Sequence, residues 1–216
     1  MSCGQKKLPK KIFVTGTGTG VGKTIVCAVL MSGIKGKYFK PVQSGLSEPT
    51  DTQTVMKMTG LSPKHFHPEI YRLKEPLSPH ASSAKEGIRI RLSAMEIPKA
   101  APFEYLVAEG AGGIMVPLNE KHLIADLMKK WNLPVILVAK SGLGTINHTL
   151  LSIQQLKRYN IEIFGVVMDG PFNEPNSRAI EHFGQTKVIA QIPVLEKLNP
   201  ESLIKCFESH FKGFAQ

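Results

Sequence analysis

The chain alternates between two hydrophobic patterns. Short apolar runs bounded by Gly, Pro and Asn predict strands, and the segments between them carry apolar residues at helical spacing. The clearest helical pattern follows Thr145, where Ile146, Leu150, Ile153 and Leu156 recur every three or four positions. This alternation is typical of a mainly parallel sheet flanked by helices. We therefore predict the α/β class, with residues 1–216 as a single domain.

Six strands and six helices follow from this pattern. The predicted strands are Lys11 to Thr15, Lys37 to Pro41, Tyr105 to Glu109, Pro134 to Ala139, Ile163 to Met168 and Val188 to Ile192. The predicted helices are Thr24 to Ser32, Thr52 to Thr59, His122 to Trp131, the stretch after Thr145, Arg178 to Phe183 and Glu201 to Phe211. Prolines accumulate between Gly60 and Pro102, so we expect a loop-rich segment there, with short helices and substrate contacts.

A glycine-rich loop between the first strand and the first helix carries the strongest chemical signal. The sequence Gly16-Thr-Gly-Thr-Gly-Val-Gly-Lys-Thr24 has the arrangement of a phosphate-binding P-loop. Glycines let backbone N–H groups turn toward phosphate oxygens, and the helix N-terminus adds positive partial charge. We expect Lys23 to bridge the β- and γ-phosphates of a nucleoside triphosphate, and the Thr24 hydroxyl to bind Mg2+.

Two carboxylates are candidates for the remaining magnesium ligands. Mg2+ prefers hard oxygen ligands, and P-loop enzymes usually hold it with an acid at the end of a neighbouring strand. Glu109 ends the third predicted strand, and the glycines that follow it allow the backbone to approach a nucleotide closely. Asp51 follows the second strand; it is either a second ligand or the N-cap of the helix that begins near Thr52.

Composition narrows the classes of function. The net charge is +10, but Lys and Arg are spread along the chain without interleaved aromatic residues, so we expect no nucleic-acid partner. The longest apolar runs have only strand length, so we expect no membrane association. Cys3, Cys27 and Cys206 are few and scattered, and no apolar stretch behind the first residues indicates a secretory signal. These features favour a cytoplasmic protein.

Several blocks, in order along nearly the whole chain, resemble the dethiobiotin synthetase family. They are Gly16 to Thr24, Lys40-Pro-Val-Gln-Ser-Gly45, Glu75-Pro-Leu-Ser-Pro-His80, Glu109-Gly-Ala-Gly-Gly113 and Leu133 to His148. The resemblance implies a single-domain P-loop NTPase fold and an ATP-dependent cyclo-ligase of biotin biosynthesis. In that family 7,8-diaminopelargonic acid captures CO2 as a carbamate, which attacks the γ-phosphate to give a carbamic-phosphoric anhydride. The second amine then displaces phosphate and closes a cyclic urea.

The resemblance also implies roles for the matching residues. The expected catalytic residues are Lys40, Lys23 and Thr19, and the expected Mg2+ ligands are Thr24, Asp51 and Glu109. The expected nucleotide contacts are Gly20, Val21, Gly22, Lys23, Thr24, Ile25, Asp51, Glu109, Gly110, Ala111, Gly112, Met168, Asp169, Pro193, Val194 and Leu195. The expected substrate contacts are Thr19, Lys40, Ser44 and Gly113, with Gly144, Thr145, Ile146 and Asn147 across a homodimer interface. The last four open a helix, and a helix start suits the substrate carboxylate.

The sequence leaves the base of the nucleotide open. Met168 stands where the family carries its adenine-reading Asn, and a methionine side chain cannot donate a hydrogen bond to a base edge. The neighbouring Asp169 can accept from the amino groups of guanine or cap a turn. We therefore consider ATP, GTP and other nucleoside triphosphates as co-substrates.

Two other functions share the P-loop architecture. An amidoligase of the cobyrinic-acid type needs a glutaminase domain, for which this chain has no room. A dimerising ATPase switch of the partition and septum-placement kind carries an extra lysine early in the loop, where Gly18 stands here. Such switches often end in a membrane-binding amphipathic helix, for which Ser209 to Gln216 is short. Both comparisons favour the synthetase interpretation.

Overall fold

The computed structural model describes residues 7–47, 49–99, 101 and 104–215. Cys3, Pro102 and Gln216, which entered the sequence argument, lie outside the described residues. The strands are β1 (Lys11–Gly16), β2 (Lys37–Phe39), β3 (Val42–Ser44), β4 (Phe66–His67), β5 (Tyr71–Leu73), β6 (Leu106–Gly113), β7 (Val135–Lys140), β8 (Ile163–Asp169) and β9 (Val188–Ile192). The α-helices are α1 (Lys23–Ile34), α2 (Asp51–Thr59), α3 (Pro79–Lys85), α4 (Ile124–Trp131), α5 (Thr145–Arg158), α6 (Glu174–Gly184), α7 (Pro200–His210) and α8 (Lys212–Ala215).

The main sheet has seven parallel strands in the order β4-β2-β6-β1-β7-β8-β9. Strands β3 and β5 form a separate parallel pair. Parallel neighbours need a crossover connection, which here is usually a helix, and the helices cover both faces of the sheet. The predicted α/β class with a mainly parallel sheet is therefore confirmed. None of the helices in the described ranges combines the length and apolar character needed to cross a lipid bilayer.

Apolar side chains of the strands point alternately to the two faces of the sheet and form an apolar core on each face. On one face, α1 and α7 pack over strand residues such as Val14 and Val167. On the other face, α4, α5 and α6 pack over residues such as Phe13 and Met168. Successive side chains of a strand point to opposite faces, so neighbours in β1 and β8 enter different cores.

The ends of two strands, near Pro41 and near the glycines after Glu109, differ from the prediction. The second predicted strand stops at Phe39, before Pro41, and pairing resumes in the separate strand β3. The glycines after Glu109 continue β6 as far as Gly113, which pairs with Gly16 of β1. Sequence pattern alone assigns such glycines to a loop, whereas here pairing with β1 continues past an irregularity in the register, where Gly112 has a φ of 67°.

The segment between Gly60 and Pro102 is more ordered than a loop. It contains the short strands β4 and β5, helix α3 and two 3-10 helices, Pro63–His65 and Leu92–Ala94. The short helices agree with the prediction, but the strands were missed. Strands of two or three residues are too short to display a period of two, so only their pairing with β2 and β3 defines them.

Candidate active site

The loop between β1 and α1 curls its backbone at two glycines. Gly20 and Gly22 have φ angles of 70° and 95°, a region that glycine adopts without strain. A Cβ atom at Gly22 would lie 2.3 Å from Oδ2 of Asp169, so a larger residue is sterically excluded there. Helix α1 begins at Lys23, and its N-cap Gly22 has no side chain to bond the first backbone N–H groups. Those N–H groups suit an anion such as phosphate.

A cavity of about 690 Å³ opens in front of this loop. Thirteen of the residues predicted for the site line it: Thr19, Gly20, Gly22, Lys23, Thr24, Ile25, Lys40, Ser44, Asp51, Glu109, Ala111, Gly112 and Asp169. They come from the carboxyl ends of several neighbouring strands and from the α1 N-terminus, which is where open α/β sheets bind ligands. Ser44 lines the cavity with a buried hydroxyl that has no hydrogen-bond partner within the described residues.

Lys40 lies in a buried cluster of charge at the base of the cavity. Its Nζ is 2.6 Å from Oδ2 of Asp51 and 2.9 Å from Oε1 of Glu109, and it donates to the Gly110 carbonyl at 3.1 Å. Only 4% of Lys40 and 1% of Glu109 is exposed, so water screens this pair weakly. A buried lysine needs such partners, because desolvation of an unpaired ammonium is strongly unfavourable.

These contacts shift the pKa values of the charged groups in opposite directions. Burial alone would lower the pKa of Lys40, but the Glu109 and Asp51 carboxylates outweigh burial and raise it above its ordinary value. Burial would raise the pKa of Asp51, but the Lys40 ammonium and the Thr24 hydroxyl lower it. Burial and the nearby Lys40 lower the pKa of Lys23. Lys40 is therefore held as a cation and Asp51 as an anion near neutral pH.

Three hard oxygens meet beside the start of α1. The Thr24 hydroxyl lies 3.0 Å from Oδ1 of Asp51 and 3.1 Å from Oε1 of Glu109. Octahedral Mg2+ with bonds of 2.0–2.1 Å sets adjacent ligand oxygens about 2.9 Å apart. The two separations from the Thr24 hydroxyl are therefore close to those between adjacent ligands of a small divalent cation.

The alternative role considered for Asp51 was that of an N-cap, and the structure does not support it. The N-cap of α2 is Thr50, whose side chain accepts from the backbone N–H of Gln53, while the Gln53 side chain accepts from the backbone of Thr50. Asp51 is the first residue of the helix, and its side chain points at Lys40 and Thr24. The capping box satisfies the helix start without the Asp51 carboxylate.

The expected nucleotide contact of Met168 is not supported either. Met168 is 0% exposed and packs in the core beneath α4, α5 and α6, away from the cavity lining. The next residue, Asp169, ends β8 and does line the cavity. Burial raises the pKa of Asp169, with the cavity residue Lys140 acting in the opposite direction. Strand alternation explains the difference, since only one of two neighbouring side chains can face the ligand side.

The other predicted residues are not in the cavity lining. Gly110 contributes a carbonyl to Lys40, Val21 packs in the core under the loop, and Gly113 packs against the loop backbone at Gly18. Pro193, Val194 and Leu195 follow β9 and do not reach the lining. Gly144, Thr145, Ile146 and Asn147 form the N-terminus of α5, also outside it. Their predicted contacts with nucleotide and substrate stay predictions.

The structure adds residues that the sequence argument did not single out. The Tyr38 hydroxyl donates to Oε2 of Glu109 at 2.9 Å, so Glu109 is held from both oxygens. Gln43 accepts from the backbone N–H of Asp51 at 3.1 Å and thereby orients the start of α2. Lys140 at the end of β7 also lines the cavity. Gln43 lies inside the Lys40 to Gly45 block, so its place in that block could have indicated a role in the site. Nothing in the sequence distinguishes Tyr38 and Lys140 from other strand residues.

The chain is similar to known proteins along nearly its whole length. Residues 10–202 match a family described as an AAA domain. An ATP-dependent dethiobiotin synthetase BioD from Brucella ovis is 45% identical over 201 residues, covering 93% of this chain and 94% of the relative. The biotin biosynthesis bifunctional protein BioCD from Bordetella avium is 46% identical over 202 residues, covering 93% of this chain and 43% of that protein.

Solved structures with low sequence identity share the fold. A ParA family ATPase from Chlorobium tepidum TLS superposes with a TM-score of 0.56 at 12% identity, covering 93% of this chain and 92% of the other. A MinC:MinD cell division protein complex from Aquifex aeolicus gives a TM-score of 0.54 at 14% identity, covering 95% and 93%. These matches support the P-loop fold alone, whereas the identity to the synthetases extends along nearly the entire chain. The chain therefore belongs to the ATP-dependent dethiobiotin synthetase family, whose members are ligases of biotin biosynthesis.

Proposed function

We propose that the protein converts 7,8-diaminopelargonic acid, CO2 and a nucleoside triphosphate into dethiobiotin through a carbamate and a carbamic-phosphoric anhydride. One amine of the substrate adds to CO2 and loses a proton, which forms the carbamate. A carbamate oxygen attacks the γ-phosphorus and expels the nucleoside diphosphate. The second amine then attacks the carbamoyl carbon, loses a proton and releases phosphate, which closes the cyclic urea.

The position of Lys40 is the observation that carries this proposal. The carbamate and the γ-phosphate are both anionic, so their approach needs fixed cations in a site of low dielectric constant. Lys40 and Lys23 line the same cavity and are 4% and 7% exposed. Lys23 suits the β- and γ-phosphates, and Lys40 lies where it can hold the carbamate against the γ-phosphate. The unpartnered hydroxyl of Ser44, and Thr19 at the mouth, suit the nitrogens or carbamate oxygens of the substrate.

Mg2+ suits the three oxygens of Thr24, Asp51 and Glu109, which we propose as its protein ligands. When bound, it would neutralise charge on the β- and γ-phosphates. Tyr38 and Lys40 orient the Glu109 carboxylate, and Gln43 orients the helix that carries Asp51. Those contacts hold the ligand oxygens at the correct spacing before the nucleotide arrives.

A homodimer would bring the start of α5 to the active site of its partner. Gly144 is the N-cap of α5 with φ 87°, and Asn147 beside it is exposed. Leu143, directly before Gly144, is fully exposed in the single protomer. An exposed leucine of this kind suits a surface that a second protomer covers. The N–H groups of this helix start suit the carboxylate of the diamino acid, so we propose that each protomer completes the substrate site of the other.

Phosphate release in the presence of the diamine tests the proposed reaction. We expect the protein to release phosphate from MgATP only when both bicarbonate and 7,8-diaminopelargonic acid are present, with one dethiobiotin formed per phosphate. Product is measured by mass spectrometry alongside the phosphate assay. Phosphate release that does not depend on the diamine and increases when a protein partner is added would instead support the ATPase-switch interpretation.

The base preference of the nucleotide is expected to depend on Asp169. An ionised carboxylate only accepts hydrogen bonds, whereas an asparagine amide both donates and accepts, as the adenine edge requires. We expect Asp169→Asn to raise the ratio of kcat/KM for ATP to kcat/KM for GTP by about tenfold, the effect of one well-placed pair of hydrogen bonds. Steady-state kinetics with ATP, GTP and CTP measure the ratio. Glu208→Gln, an exposed acid on α7, is the control, and an unchanged ratio in Asp169→Asn would contradict the assignment.

A further inference from the structure

A second, larger groove lies on the far side of α3 from the candidate active site. It has a volume of about 1000 Å³ and is formed by α3, the segment 87–93, the turn 119–122 and Lys130 of α4. Pro79 lines the candidate active site, whereas the next residue, His80, lines the groove. The proposed reaction uses none of the residues that line this groove.

The groove is strongly basic. Four of its lining residues are cations, Arg89, Arg91, Lys121 and Lys130, and two more are histidines, His80 and His122. Glu120 is the only carboxylate among the lining residues that the structure describes. A concave surface of one sign concentrates ions of the opposite sign, and this one is lined by groups that favour anions.

The cations of the groove differ in whether they already have hydrogen-bond or ion-pair partners. The Lys130 ammonium is already engaged by the carbonyls of Leu92, Ser93 and Met95 at 2.9–3.1 Å and by Glu96 at 2.6 Å. Arg89, Arg91 and Lys121 are exposed and form no ion pair with any carboxylate in residues 7–47, 49–99, 101 and 104–215. Lys130 therefore stabilises the wall, and three cations remain available to a ligand.

The two arginines project from the same side of a fixed segment. Ile90 between them is 2% exposed and anchors the segment in the core, and Arg91 has extended backbone angles of φ −114° and ψ 116°. Arg89 and Arg91, on either side of this buried residue, are exposed and line the same groove. The backbone N–H of Arg91 donates to the Tyr71 hydroxyl, and Asn119 donates to the Ile90 carbonyl, each at 2.9 Å.

The turn that carries Lys121 is also fixed. The Asn119 side-chain oxygen accepts from the backbone N–H groups of Lys121 and His122 at 2.8 and 2.9 Å. The same residue therefore links the turn that carries Lys121 to the segment that carries both arginines. A ligand that bridges the walls would meet cations whose backbone positions are already set, which reduces the entropy lost on binding.

We propose that this groove binds a small anion that carries two adjacent phosphate groups. Each arginine offers a planar fork of N–H donors that matches two phosphate oxygens, and Lys121 adds a third charge from the turn 119–122. The site lies outside the P-loop cavity, and its assignment does not depend on the proposed synthetase reaction.

Titration calorimetry with inorganic pyrophosphate at about 0.15 M salt tests the site, a concentration at which exposed charges are well screened. We expect two binding events per chain without Mg2+, one at the P-loop and one at the groove. Arg89→Ala/Arg91→Ala is expected to weaken the groove event by at least about tenfold for each arginine, since charge-assisted bonds are the strong ones. The P-loop event and the KM for ATP are expected to stay unchanged, which also shows that the variant folds.

The matched control is Lys57→Ala/Arg158→Ala, which removes the same charge from exposed positions outside the groove and keeps both events. Arg89→Lys/Arg91→Lys keeps the charge without the fork and is expected to bind at an intermediate level. A single event in the unmodified protein, or two events retained in the groove variant, would overturn the proposal. Tighter binding of a short RNA than of pyrophosphate, lost in the same variant, would replace the small anion by a nucleic acid and overturn it as well.

Discussion

Lys40→Met is expected to abolish ring closure while the protein still binds nucleotide. The variant keeps the length of the side chain but removes the ammonium that we place between carbamate and γ-phosphate. Loss of one preorganised group that stabilises a developing charge reduces kcat by about 10²–10³-fold, and more is expected here because both reactants are anions. Nucleotide affinity measured without Mg2+ is expected to change little, because Lys23 and the backbone of the P-loop remain. Dethiobiotin formation measures the first effect, and calorimetry with a non-hydrolysable nucleotide measures the second.

Lys37→Met is the matched control for this variant. Lys37 lies three residues earlier on β2, and its ammonium bonds the Lys64 carbonyl and lies near Glu104, outside the cavity. Loss of nucleotide binding together with activity in Lys40→Met would contradict the assigned role, as would full activity.

The Lys40 variant also has a predicted pH signature. Pairing with Lys40 lowers the pKa of Asp51 in the folded protein. A carboxyl with a depressed folded pKa contributes stability that is complete above its unfolded pKa of about 3.9 and is lost as the pH falls through the folded value. In Lys40→Met the burial of Asp51 is no longer offset by the ammonium, so its pKa is higher than in the parent; the stability difference between the two proteins is therefore expected to be largest at neutral pH and to narrow as the pH falls through the acid range. Urea unfolding across that range measures it.

Glu109→Gln is expected to damage both folding and metal binding. Glu109 is 1% exposed, and its carboxylate accepts hydrogen bonds from Lys40, Tyr38 and Thr24. Removing one partner of a buried ion pair costs about 3–5 kcal/mol; since Asp51 still faces Lys40, we expect the lower end of that range. The Mg2+ concentration needed for nucleotide binding is expected to rise at least about tenfold, because one charged ligand becomes neutral.

Chemical denaturation and Mg2+ titrations with nucleotide present measure these two effects. Glu174→Gln provides the control, because its ion pair with Arg178 is exposed and such pairs contribute about 0–1 kcal/mol. An unchanged Mg2+ requirement in Glu109→Gln would remove Glu109 from the proposed ligand set.

The P-loop and most of the main sheet could be predicted from the sequence. Strand β9 was predicted at its observed bounds, and the strands that became β1, β7 and β8 were within one residue at each end. These are buried strands of five to seven residues, whose apolar runs are long enough to stand out from their glycine and proline boundaries. The family was also evident from ordered blocks of residues, and the comparisons confirm it.

The tertiary structure decided which side chains share the cavity. Met168 and Asp169 are neighbours in sequence, yet one is core and the other faces the ligand side. Tyr38 and Glu109 are 71 residues apart and meet through a hydrogen bond, which no local pattern encodes.

Local chemistry determines a turn of glycines, a buried strand or a helix start, because each depends on residues within a few positions. The sequence by itself therefore determined the parallel α/β fold, the phosphate loop and the family of this protein. The order β4-β2-β6-β1-β7-β8-β9 placed β2 beside β6, so that Lys40 after β2 and Glu109 in β6 meet, with Asp51 supplied by the start of α2. Burial within that arrangement, through the low dielectric constant it creates, decided how strongly those charges act on one another.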